Sequence, residues 1–199
     1  DILKKYEKNN IFSINTVTTS TNPHYAKLVG ISISFEKNKG HYIPILGLES
    51  KKLFDLKVII DALNPLLINE RIMKCGQNIK YDAIVLENAG FKINGIGFDT
   101  MIAAHLLNSS VNEYKLDFLS EQYLGYSMIP ISNLIGDGKN VIGMDEVSVN
   151  DCANYAAENS DITLQLYEKL KSTIEKEHLY NYYKEIELPL VPVLIEMEK

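Results

Sequence analysis

The stretch Ile11-Phe12-Ser13-Ile14-Asn15-Thr16-Val17-Thr18 decides how this chain is read. Its β-branched and apolar residues spell a strand, and strand side chains alternate between two faces, so Asn15 and Val17 share one. A strand ending in Asp-x-Glu would present two carboxylates on that face, an arrangement suited to gripping a pair of divalent cations. Positions 15 and 17 carry an amide and an aliphatic side chain instead.

Working outward, residues 28–35 alternate apolar and small side chains as a second strand, Asn38-Lys39-Gly40 reads as a turn, and 41–45 as a third strand. These pair as an antiparallel meander in which Pro44, lacking an N–H, suits an edge. Helical spacing follows over 55–67, broken or restarted at Pro65, then a short strand over 71–76 and a helix over 79–88 that stops at Ala89-Gly90. Asp99 is a credible N-cap for a helix running to Leu107, and 116–124 form another ending at Gly125. Residues 125–143 read as loop, 149–178 as one long amphipathic helix, and 180–199 as a segment with Pro189 and Pro192 and no cap. Strands first, then strand–helix alternation, then helices argue for an α/β domain with a mixed central sheet, antiparallel first strands and flanking helices.

The 199 residues suit one domain. A net charge of −6 and a pI near 5.3 exclude a basic domain that coats nucleic acid by charge alone. Cys75 and Cys152 stand in no metal-type spacing and read as reduced packing residues, which favours a cytoplasmic setting. The four histidines, His24, His41, His105 and His178, show no metal spacing either. The polar first residues give no expectation of a signal peptide, and no apolar run is long enough to span a membrane.

Further segments line up with the first strand: Leu28-Val29-Gly30-Ile31-Ser32, Gly76-Gln77-Asn78-Ile79-Lys80-Tyr81-Asp82, Phe98-Asp99-Thr100-Met101, Tyr155-Ala156-Ala157-Glu158 and Leu164-Gln165-Leu166. In this order and spacing the chain resembles the 3′–5′ proofreading exonuclease domain of bacterial DNA polymerase I, a family A polymerase. The resemblance implies a DnaQ-like, RNase H-like fold. It also implies a domain over 11–180, preceded by a leader over 1–10 and followed over 181–199 by the start of the linker into a polymerase domain of the same chain. In that family two Mg²⁺ ions about 4 Å apart hydrolyse the phosphodiester, one preparing the water and one holding the leaving oxygen. The resemblance maps the four carboxylates that hold them onto Asn15, Val17, Asp82 and Asn159, of which only Asp82 is acidic. Tyr155, which would orient the attacking water, is kept, while Thr21, Asn78 and Ile131 fall where the family contacts DNA.

Mg²⁺ demands charged oxygen ligands, and Val offers no oxygen at all. Each lost metal or water contact removes several kcal/mol of transition-state stabilisation, at about 1.4 kcal/mol per tenfold in rate. The expectation is a scaffold without metal cofactor, Asp82 being a weak lone ligand, kept as a structural or DNA-contacting module near the nucleoid. The alternative is a feeble metal-dependent 3′–5′ exonuclease on single-stranded ends. Asp161 lies about 200° around the helix from Asn159 and Glu158 about 100°, so neither acid replaces it. Bland readings stand beside these. Asp82 can merely pair with Lys80 or a backbone donor, Asn78 can fasten a helix start, Tyr155 can be a core tyrosine, and Tyr180-Asn181-Tyr182-Tyr183-Lys184 an interdomain packing surface.

Overall fold

The computed structural model describes residues 10–48, 51–138 and 141–199. The expected leader therefore lies outside the described residues except for Asn10. Strands β1 (Ile11–Thr18), β2 (Leu28–Glu36), β3 (Lys39–Pro44), β4 (Met73–Gly76) and β5 (Ile96–Asp99) form a sheet in the order β3-β2-β1-β4-β5. The first three are antiparallel, with Val17 opposite Gly30, and β4 and β5 join in parallel. The mixed sheet expected from the sequence is thus present, and Pro44 sits on the edge strand.

The two faces of the sheet are built differently. Phe12, Ile14, Ile31, Ile33 and Phe35 point to one side and form the main core with α1 (Leu56–Leu67), α2 (Ile79–Asn88) and the last helix. Ser13, Ser32 and Ser34, buried on the other side, leave room for the long helix α6 (Val149–Lys176) to come close. Ser13 Oγ donates to Ser160 O at 2.5 Å. At Gly40 a Cβ would stand 2.0 Å from Ala157 O, so only glycine permits this contact. Before α6 come α3 (Thr100–Leu107), α4 (Leu116–Leu124) and α5 (Ser132–Ile135).

Several local readings need correction. Helix α1 runs through Pro65 without a break, since Pro65 lies inside its last turn. Residues 125–143 are not wholly loop, because Asn133 N bonds Pro130 O and Leu134 N bonds Ile131 O to close the short turn of α5. Strand β5 had no sequence signal, being four residues with a glycine inside. A Cβ at Gly97 would lie 2.1 Å from the Met73 side chain, which would have to move. The prolines of the tail do not end its helicity: α7 (Tyr180–Tyr182) runs through a π-turn (Tyr183–Glu187) into α8 (Leu188–Met197). Leu188 N reaches back to Tyr183 O, and this wider turn accommodates Pro189, which has no N–H to give. Tyr183, Val191 and Ile195 of this tail are buried against the domain. Among the described residues no helix is long and apolar enough to cross a membrane.

Candidate functional site

The C-terminal end of β1 opens into a groove of two adjoining cavities, about 770 and 500 Å³. Asn78, Ile131, Tyr155 and Asn159 line both. The larger adds Glu113, Lys115 and Asp117, with Lys115 paired to Glu113 at 2.6 Å. The smaller adds Val17 and Thr21, and among the described residues none of its lining side chains is an acid or a cation. Six of the positions singled out in the sequence thus meet around one chamber. Asn15 and Asp82 do not line it.

Asp82 is turned away. Its Oδ1 accepts from Thr16 N at 2.7 Å and from Thr16 Oγ1 at 2.6 Å. Thr16 points to the side of β1 opposite Asn15 and Val17, so the one acid kept at the four mapped positions is bonded across the strand from two of the others. Burial pushes its carboxyl up to about 7, against the pull of both Thr16 bonds. Val17, 6 % exposed, is seated in an apolar cluster with Val29, Met144, Val147, Cys152 and Ala156. Cys152 Sγ donates to Tyr42 Oη at 3.2 Å, and the Tyr42 ring lies where a side chain at Gly30 would go. Asn15 Oδ1 is buried with no hydrogen-bond partner. Tyr155 packs beside the Val17 cluster, with its hydroxyl bonded to Asn159 and its pKa raised by burial.

Such a donor set does not fit Mg²⁺. Amide oxygens are neutral, the valine has none, and among the described residues no three His, Cys, Asp or Glu side chains converge. The neighbouring acids have other partners. Asp161 accepts from Asn38 N at 2.6 Å and from Gln165 Nε2 at 2.8 Å. Glu158 accepts from Tyr126 Oη and Ile129 N, both at 2.8 Å, and so pins the segment carrying Ile131 to α6. Asp117 accepts from Phe118 N in the first turn of α4.

Asp99 does more than the sequence showed. It caps its own helix at Met101 N (2.8 Å) and Ile102 N (3.2 Å), as expected. It also takes Asn78 N at 3.2 Å and Ile79 N at 2.7 Å, which fastens the start of α2. That corrects the structural reading of Asn78, whose own side chain makes no capping bond. Its backbone is instead left-handed (φ 54°), a conformation asparagine tolerates better than most residues. Tyr183 Oη accepts from Asp99 N at 2.7 Å, tying the tail to the same point. Neither the second role of Asp99 nor the clamp at Glu158 had a local signal, since the partners lie far away in sequence.

Comparison with known proteins agrees with this architecture. Residues 1–175 match a family model described as a 3′–5′ exonuclease. DNA polymerase I of Borreliella burgdorferi is 36 % identical over 100 % of this chain and 21 % of its own length. That of Pseudomonas aeruginosa is 33 % identical over 99 % and 22 %. The chain therefore spans about a fifth of these relatives. In structure it is similar to Pol1 of M. smegmatis, solved with DNA primer-template and dNTP (TM-score 0.76, 19 % identity, 98 % of this chain and 30 % of that one). It is similar also to NrnC of Brucella melitensis bound to pGG (TM-score 0.72, 20 % identity, 98 % and 87 %). These likenesses carry the RNase H-like fold, and the sequence match carries the family: the chain belongs to the 3′–5′ exonuclease family found as a domain of bacterial DNA polymerase I.

Proposed function

We propose that this chain serves in DNA replication and repair as the exonuclease-fold module of a longer polymerase-type protein in the cytoplasm, and that it does not cleave DNA. The observation that carries the reading is the bonding of Asp82 to Thr16, on the side of β1 away from Asn15 and Val17. A two-metal hydrolysis needs several carboxylates aimed at one point, and here one acid is committed elsewhere while a valine fills another position. No resident metal is proposed. The module keeps its groove, with Thr21, Asn78 and Ile131 as contacts to a single-stranded 3′ end and Tyr155 without a water to orient.

The tail supports the attachment to a polymerase domain. Helix α8 is apolar nearly all round, and while Val191 and Ile195 are buried, Leu190, Val193 and Met197 are exposed. A helix of that kind is ordinarily covered on every side. Incubation with 3′-labelled single-stranded DNA and Mg²⁺ or Mn²⁺ tests the central claim. Full-length DNA after a long incubation is the expected result; metal-dependent shortening from the 3′ end overturns it.

A further inference from the structure

The end of the sheet opposite the groove carries another concavity. Strands β4 and β5 run parallel to β1, so the turn that enters β4 and the loop that enters β5 lie away from Val17 and Tyr155. Between them and helix α8 is a cleft of about 370 Å³, inside the usual span of small-molecule sites, roughly 300–1,000 Å³. Ile93, Ile96, Leu188, Pro189 and Pro192 supply apolar walls, and Glu70 is the one charged side chain among its described lining residues. The backbone holds these walls in place. Gly95 is left-handed (φ 67°), and a Cβ there would stand 3.1 Å from Glu70 Cα, so the loop before β5 lies directly on the turn before β4. Asn94 N donates to Leu67 O at 2.9 Å, and Ile72 N closes the turn on Asn69 O at 3.1 Å.

The polar groups left over at the cleft are acceptors. No described residue bonds or pairs with the Glu70 carboxylate. Glu70 helps to hold the charge on Lys74, but that ammonium is buried, donates to Asn69 O at 2.7 Å and does not line the cleft. Pro192, inside α8, has no N–H, so Leu188 O is left without its helical donor. An anion brought here would meet a carboxylate and a carbonyl. A neutral apolar molecule would take Glu70 out of water with nothing in exchange. A cation on an apolar body answers both demands, since its N–H groups face the carboxylate while its body covers the isoleucines and the proline rings.

We propose that this cleft binds an organic cation, an ammonium or guanidinium on a short apolar body, through Glu70. The inference goes beyond the reading of the groove and stands apart from it, because the two sites share no residue. A free amine and an arginine side chain of another protein offer the same chemistry, and the test separates them.

The test is an NMR titration of the whole chain at neutral pH with benzylamine, with N-acetylarginine methylamide and with benzyl alcohol, the uncharged counterpart of the first. The amides of Gly95 and Ile96 are expected to shift with at least one of the two cations. Tighter binding of benzylamine marks a free amine as the ligand, and tighter binding of the arginine derivative marks a protein side chain. Benzyl alcohol should bind at least about threefold more weakly than the better cation, as one partly exposed charge pair allows. That cation should also lose affinity between about 0.05 and 0.5 M salt. Glu70→Gln should weaken it by about the same threefold and leave the rest of the spectrum unchanged, because the carboxylate holds no other described residue. Equal affinity for benzyl alcohol, or undiminished binding to Glu70→Gln, overturns the proposal. So does the absence of any shift at about 20 mM of either cation.

Discussion

Asp82 and Asp99 are two buried aspartates flanking the same helix start, and they have been put to opposite uses. Asp99 takes four backbone N–H groups, from Asn78, Ile79, Met101 and Ile102, on both of its oxygens. It joins β5, α2 and α3, and Tyr183 bonds its backbone to the tail. Asp82 takes two donors from one residue, both on Oδ1. Burial raises the carboxyl of each above its ordinary range, with four backbone bonds opposing the rise at Asp99 and two bonds to Thr16 at Asp82. The region around Asp99 is framework, because its carboxylate satisfies the starts of two helices at once. Around Asp82 and Val17 one carboxylate is bonded to Thr16 and the valine packs in an apolar cluster.

The largest expected effect comes from Asp99→Asn. An asparagine has one acceptor oxygen, and its NH₂ group would face either Ile79 N or the three donors now on Oδ1. At about 1–3 kcal/mol per unsatisfied buried group, a loss of roughly 3 kcal/mol is expected in urea unfolding. A loss below about 1 kcal/mol would end the claim that Asp99 is the hub.

Val17→Glu probes the other region. A carboxylate there enters the cluster of Val29, Met144 and Val147, and the expected destabilisation is about 2–3 kcal/mol at neutral pH. The triple change Asn15→Asp, Val17→Glu, Asn159→Asp places carboxylates at the three mapped positions that lack them. It should be less stable still without metal and should regain stability in Mn²⁺, because ligand that binds only the folded state shifts the unfolding equilibrium. A thermal midpoint that Mn²⁺ leaves unmoved would show that the groove geometry, and not only its charge, has departed from a metal site.

The contrast also explains what could be read in advance. Strand β1, helix α2 and helix α4 are legible to the residue, because period-two alternation, a stop at Ala89-Gly90 and a left-handed Gly125 are local signals. The positions around the chamber were legible from motif order. What stayed hidden depends on distant partners. Thr16 carries no mark that it will hold Asp82, 66 residues away. Glu158 looks like a surface acid on α6 until the loop at Ile129 folds back on it. The helical tail was hidden for another reason: prolines report a broken ladder locally, and a π-turn that absorbs the break has no composition of its own.

Asp82→Asn is expected to act with the opposite sign to Asp99→Asn. Both Thr16 donors meet one oxygen, which an amide reproduces without a buried charge. The folded carboxyl lies near 7, above the ordinary 3.8 of an unfolded chain. Between those values the folded state holds the proton and the unfolded state does not. Asp82 therefore contributes stability that is full below about pH 4 and is lost as pH rises through 7. At pH 8 Asp82→Asn should be more stable than the parent by roughly 1–2 kcal/mol, and the difference should vanish near pH 4. Urea midpoints across that range measure it. A parent protein that gains stability from pH 4 to 7 by an amount Asp82→Asn abolishes would mean the carboxylate is held in its charged form, as at a working metal site.

The smallest effect is the most local. Glu158 holds Tyr126 Oη and Ile129 N from a half-buried position on α6, and the segment so held leads into Ile131, which lines both cavities. On the framework side, Asp99 secures elements that pack against the core and open only with the whole domain. On the groove side, Glu158 secures a wall whose next contacts are the apolar ones at Ile135 and Met144. Glu158→Ala should therefore cost only about 0.5–1 kcal/mol of global stability, in the range of one partly solvated charge-assisted pair. It should raise hydrogen exchange at the Ile129 amide well beyond any change at Ile79, because a wall held at separate points can open at one while the sheet stays closed. Equal acceleration at both amides would make the wall part of the framework and erase the division between the two regions.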